Sequence, residues 1–91
     1  MLKVCVDTLS SHQKTKLGIS SWPIWEKEIS CFEYEYEEEE QCYFLEGRVE
    51  IRSSDQTIEL GPNDFATFPK GLKCTWDIKE AVRKHYFFPE S

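Results

Sequence analysis

The side chains able to do chemistry in this chain gather in two short stretches. The first, YEYEEEEQCYFLEG at residues 34–47, interleaves Tyr34 and Tyr36 with glutamates and closes an acidic run on Glu40. The second, AVRKHYFF at residues 81–88, holds Arg83 and His85 on one face of an extended strand and Lys84 and Tyr86 on the other. An inward Arg83 could grip a ligand carboxylate through two parallel hydrogen bonds, or pair with Glu40 as a purely structural bridge. His85 would add a group that switches charge near neutral pH, although a single histidine is more often a hydrogen-bonded structural residue. Both faces of this stretch carry apolar residues, so parity alone leaves the inward face open. Glu37, Glu38 and Glu39 read as a solvated turn, where clustered like charges cost little in water.

Strands must position these groups. Phe32, Tyr34 and Tyr36 alternate with Glu33, Glu35 and Glu37, so one strand face is aromatic and the other acidic. A helix would scatter the same rings around its axis. Residues 1–7 read as a short strand and the polar SSHQKTK at 10–16 as a loop, while Pro23 keeps SWPIW extended. Further strands are predicted at 41–45, 48–52, 57–60, 65–68, 74–78 and 82–88. Turns separate them at Glu46-Gly47, Ser53-Ser54-Asp55, Gly61-Pro62-Asn63-Asp64 and Pro69-Lys70-Gly71. Parity puts Glu40, Cys42 and Phe44 on one face of their strand, and Cys74 and Trp76 on one face of another. Short strands at this spacing, with no helical segment, predict an all-β antiparallel sandwich or barrel.

Length and composition bound the rest. The 91 residues make one domain, spanning 1–91, with no room for a second core. Aromatic residues make up 14% of the chain, and large rings suit a small core because each buries much area. A net charge of −6 argues against a nucleic-acid partner, which needs a basic stripe. No stretch has the length of a signal peptide or a membrane span, so a cytoplasmic protein with no membrane partner is expected. Cys5, Cys31, Cys42 and Cys74 lack zinc-finger or CxxC spacing and read as free thiols.

EQCYFLEG and GPNDFATFPKG together resemble the two sequence motifs of the cupins, which are small antiparallel β-barrels of the jelly-roll type. In the first motif Glu40 and Gly47 stand at the glutamate and final glycine, and Tyr34 and Tyr36 fall on the two histidine positions. In the second, Pro69 and Gly71 match, while Asn63, Cys74 and Ile78 occupy the glycine, histidine and asparagine positions. WPIWEKE, CYFLEG, FPKGLKCTW and VRKHY are similar to strings in the small cupins grouped with ureidoglycine aminohydrolase and the ethanolamine-utilisation cupin. The resemblance covers roughly residues 20–88. It implies a jelly-roll barrel, and assembly as a homodimer with the N-terminal segment contributing to the interface.

Cupin metal chemistry rests on three histidines and a glutamate, and three of those four positions are changed here. Tyrosine is a poor ligand near neutral pH because its phenol must first lose a proton. A rebuilt divalent-metal site would have to use Glu40, Cys74 and His85 in an N/O/S sphere. The alternative is no metal cofactor, with Glu40 bonded to a tyrosine hydroxyl and Cys74 a small buried side chain. The resemblance turns Tyr34, Tyr36, Glu40, Cys74 and Trp76 toward one pocket, with Arg83 and His85 as its polar candidates. Three functions compete. One is a metal-free cupin that binds a small organic molecule, such as an aromatic or other carboxylic acid. Another is an aminohydrolase- or isomerase-like enzyme using Glu40, Cys74 and His85. The third is a structural or regulatory protein whose barrel is filled by its own side chains.

Overall fold

The computed structural model describes residues 2–89. Alternating apolar and polar side chains build seven strands: β1 (Cys5–Thr8), β2 (Ile24–Lys27), β3 (Ser30–Glu35), β4 (Glu40–Arg52), β5 (Thr57–Leu60), β6 (Asp64–Phe68) and β7 (Lys73–Phe87). All pairings are antiparallel, and the sheet runs β1-β6-β4-β7-β2 with β5 added to β4 and β3 to β7. This is the all-β architecture expected of a jelly roll.

The two long strands pair with each other along most of their length, and each is shared by two shorter partners. The first half of β4 pairs β6 and its second half pairs β5. The first half of β7 pairs β3 and its second half pairs β2. Both long strands therefore belong to both halves of the sheet. The register between them shifts at Phe44/Glu46, Glu46/Arg48 and Arg48/Val49, which is where the ladder bends. Gly47 makes the bend possible: its φ is 95°, and a Cβ there would collide with the backbone of Ala81. The irregularity also changes the phase of β4. Glu40, Cys42 and Phe44 are buried before it, Val49 and Ile51 after it.

One predicted turn and one predicted strand break are thus corrected. Glu46-Gly47 is a bulge within one strand, and 74–78 and 82–88 are parts of the single strand β7. A third correction lies at the N-terminal side. The polar stretch at 10–16 forms the helix α1 (Ser11–Leu17), followed by a 3-10 turn over Ile19–Ser21. Local capping accounts for it: the Ser10 side chain accepts from the Gln13 backbone N–H and the Gln13 side chain accepts from the Ser10 N–H. Gly18, in the left-handed conformation, closes the other end by donating to the carbonyls of Lys14 and Thr15. No residue of α1 is buried, so hydrophobic periodicity carried no trace of it.

The main core lies between the two halves and includes Phe44, Val49, Ile51, Leu60, Phe68, Trp76, Ile78 and Val82. A second cluster forms on the outer face, where Ile19 and Trp22 cover Tyr43 and Phe65. Each fully buried side chain of Leu, Ile or Phe size contributes about 1.5–3 kcal/mol relative to exposure.

Candidate functional site

A cavity of about 270 Å³ opens between β3, β7 and the start of β4. Trp25, Phe32, Tyr36 and Trp76 supply ring walls, while Tyr34, Tyr86 and Phe88 also line it. Glu40 and Lys84 are the charged groups on its surface. The barrel is therefore packed with rings yet retains a cavity, and the aromatic face of β3 points inward as parity required.

Tyr36 lies just past the end of β3, held by its N–H to the Leu72 carbonyl and by the Gly71 N–H to its own carbonyl. Its ring stacks on Phe68 with centroids 4.8 Å apart, and Trp76 Nε1–H donates to its hydroxyl at 3.1 Å. Burial, with Cys42 and Glu40 adding to it, raises the Tyr36 phenol far above its ordinary value. Tyr34 meets Tyr36 edge to face and is 45% exposed, which sets it at the rim. The acidic run divides as read from the sequence: Glu37 and Glu38 are exposed, Glu39 is half-buried and Glu40 is buried.

Lys84 was missing from the sequence-based set. Its Nζ lies 3.1 Å from Glu40 Oε2 and 3.0 Å from Cys42 Sγ. It also sits 4.9 Å from the Trp25 ring centre and 4.7 Å from that of Trp76. Lys84 is 4% exposed and Glu40 6%, so this is a buried ion pair flanked by two indoles. Burial disfavours the ammonium, but Cys42 and Glu40 beside it outweigh that, and its pKa is raised. The Cys42 thiol is pushed up to about 12 by burial, stays protonated, and donates to Glu40 Oε2 at 3.2 Å.

Three sequence-based candidates lie elsewhere. Arg83 points away from the cavity and pairs with Glu26 at 3.2 Å and Glu46 at 3.7 Å on the exposed face. It neither bridges to Glu40 nor reaches a ligand in the cavity. His85 shares that outer face, where α1 and the 3-10 turn cover it, and its Nδ1 is 2.9 Å from the Trp22 carbonyl. A carbonyl only accepts, so Nδ1 carries the proton and His85 has a structural role. Cys74 is buried in the core and borders a separate polar depression with Arg52 and Ser53. Burial lifts its thiol to about 11.

The phase of β7 explains what sequence reading missed. Cys74, Trp76, Ile78, Val82 and Lys84 are all buried, an even-numbered series interrupted only at the exposed Glu80. Carrying the parity of Cys74 and Trp76 through to the end of the strand would have turned Lys84 inward. Splitting the strand at 79–81 lost that phase.

The donor set does not fit a cupin metal. Glu40, Cys74 and His85 do not converge, and among the described residues no three His, Cys, Asp or Glu side chains gather as metal ligands. An ammonium group occupies the position beside Glu40, and the two tyrosines hold their protons more tightly than free phenols.

Over residues 14–86 the sequence matches the EutQ-like cupin domain. The chain belongs to this family. Among solved structures, this cupin is similar to a DUF861 family protein from Thermotoga maritima at 41% identity and a TM-score of 0.92, covering 94% of this chain and 99% of that one. It shares its fold with Clostridium difficile EutQ, at 16% identity and a TM-score of 0.65 over 93% of this chain and 66% of that one. A putative ethanolamine utilization protein Q from Salmonella typhimurium gives 21% identity and a TM-score of 0.64, over 91% and 66% of the two chains. No curated protein matches the chain. No helix among the described residues is long and apolar enough to cross a membrane.

Proposed function

We propose that this cupin binds a small, flat organic acid in its aromatic cavity, without a transition metal. The observation that carries this reading is the 270 Å³ cavity walled by indole and phenol rings around the Lys84–Glu40 pair. Rings provide apolar faces for a planar ligand, and a few fixed polar groups orient it. An ammonium group carries three N–H donors, and two of those of Lys84 are directed at Glu40 and Cys42. The third is available to a ligand carboxylate. Because Glu40 already balances the charge, the preference for acid over amide is modest, about tenfold or ~1.4 kcal/mol.

The test is a titration of benzoate and benzamide followed by tryptophan fluorescence, since Trp25 and Trp76 both line the cavity. Benzoate is expected to bind with micromolar to millimolar affinity, about −4 to −8 kcal/mol. Lys84→Met should weaken benzoate more than benzamide, and Arg83→Ala should leave both unchanged. If the folded protein binds neither compound nor any other aromatic acid, the reading fails.

A further inference from the structure

We propose that Cys42 and Lys84 form a reversible covalent bridge, Nζ–O–Sγ, beside the cavity under oxidising conditions. The geometry is already close to the product. Nζ and Sγ lie 3.0 Å apart, and two single bonds meeting at one oxygen span ~2.5 Å. The atoms need to approach by only a few tenths of an ångström, well within side-chain reach. Neither group has much freedom to avoid the other. Cys42 is fully buried on β4, and Lys84, on the neighbouring strand β7, is packed against the edge-to-face pair of Trp25 and Trp76. Phe44 is the register partner of Lys84 and Cys42 that of Tyr86, so Cys42 and Lys84 are diagonal neighbours on one face.

Glu40 completes the arrangement. Its Oε2 accepts from both the thiol and the ammonium, so one carboxylate oxygen can take a proton from either group. The cavity brings a small oxidant to Lys84, and the sulfur lies directly behind it. With hydrogen peroxide, the ammonium first passes its extra proton to Glu40. The thiol then becomes a sulfenic acid and the amine a hydroxylamine, each step releasing one water. Condensation of the two forms the O–S bond and releases a third water. Sulfur and nitrogen each give up two electrons, and the two peroxide molecules accept all four. Reduction by two dithiols restores the amine and the thiol with release of one water. Because Cys42 stays a neutral thiol and Lys84 gives up its ammonium proton reluctantly, formation is slow and requires sustained exposure.

In the bridged form the nitrogen is uncharged, and Glu40 holds the proton it received in place of its cation. The bridge stands whether or not the cavity takes a ligand. Its further consequence, weaker binding of acids after oxidation, rests on the function proposed above.

The experiment uses the full chain carrying Cys5→Ser and Cys31→Ser, which removes the two exposed thiols. Its fold is checked by circular dichroism, and intact mass is followed during prolonged exposure to hydrogen peroxide. The expected result is a gain of about 14 Da on the peptides carrying Cys42 and Lys84, one oxygen in and two hydrogens out, apart from about 16 Da at Met1, whose thioether oxidises independently. It should be accompanied by a cross-linked peptide joining residues 42 and 84, and dithiothreitol should reverse both. Lys84→Arg should give no cross-link, but the mass of the parent protein stands on its own if that variant fails to fold. Gains of about 16, 32 or 48 Da at Cys42 without a cross-link would overturn the proposal. So would a loss of about 2 Da, which marks a disulfide or a direct N–S bond, or an unchanged mass.

Discussion

Lys84 and Glu40 are each buried, so removing either charge leaves the other without its counter-charge in a low-dielectric setting. Lys84→Met is therefore expected to destabilise the fold by about 3–5 kcal/mol in urea titrations. The double variant Glu40→Gln/Lys84→Met should recover at least half of that loss, because it removes both charges together. Equal losses in the single and double variants would show that packing by the lysine stem, not the ion pair, carries the effect. The same cluster makes stability sensitive to alkali. Burial raises the Tyr36 phenol and lifts Cys42 from 9.0 to about 12; Lys84 is raised because Cys42 and Glu40 outweigh its burial. All three groups hold protons more firmly when folded, so the folded state binds more protons in alkali and stability falls as pH rises. The urea midpoint should hold up to about pH 9 and fall from there through about 12, and a midpoint that rises over that range would contradict this account. Motif position and parity together made Tyr34, Tyr36, Glu40 and Trp76 legible in the sequence. Lys84 was hidden because the choice between two apolar faces depends on strand continuity, and Arg83 offered the more familiar acid-binding chemistry.

At the scale of elements, Gly47 holds the bend shared by β4 and β7. Gly47→Ala places a methyl group against the Ala81 backbone at a positive φ, and a loss of at least ~2 kcal/mol is expected in denaturant melts. Ser10→Ala should cost about 1 kcal/mol or less by removing the α1 cap, and it leaves the cavity untouched. If Gly47→Ala melted like the parent, the bend would have to form without the left-handed residue. Most of the strands were readable because apolar alternation reports directly on a half-buried ladder. Glu46-Gly47 has the same local chemistry in a turn and in a bulge, and only pairing with β7 distinguishes them. α1 was unreadable from periodicity for the opposite reason: its cap residues carry it, and it buries nothing of its own.

At the scale of the whole molecule, apolar side chains remain on the outside near both ends of the sheet. Val6 on β1 is 42% exposed and Leu2 before it 42%, while Ile24 on β2 is 43% and Phe87 40% exposed. All four residues of β1 are exposed, and among the described residues the strand pairs only β6, which leaves its other edge open. A homodimer that covers this N-terminal edge is the expected assembly. Light scattering at high micromolar concentration should report twice the mass of the 91-residue chain, and Val6→Asp should shift it toward monomer. A monomeric parent under those conditions would remove this expectation.

The pairing scheme also sets a constraint on synthesis. β2, β3 and β4 all take β7 as a neighbour, so none of them completes its ladder until residues 73–87 have been made. Until then Trp25, Phe32 and Tyr36 lack the strand that supplies Trp76, the ring or hydrogen-bond partner of each. A nascent chain arrested after residue 72 should therefore present these rings to the surroundings, bind a hydrophobic dye and be cut readily by protease. Extending the chain through Phe87 should abolish both signals in one step. Folding of this small barrel is then a late, single event that waits for β7, and chaperone demand should peak before that strand is free to pair.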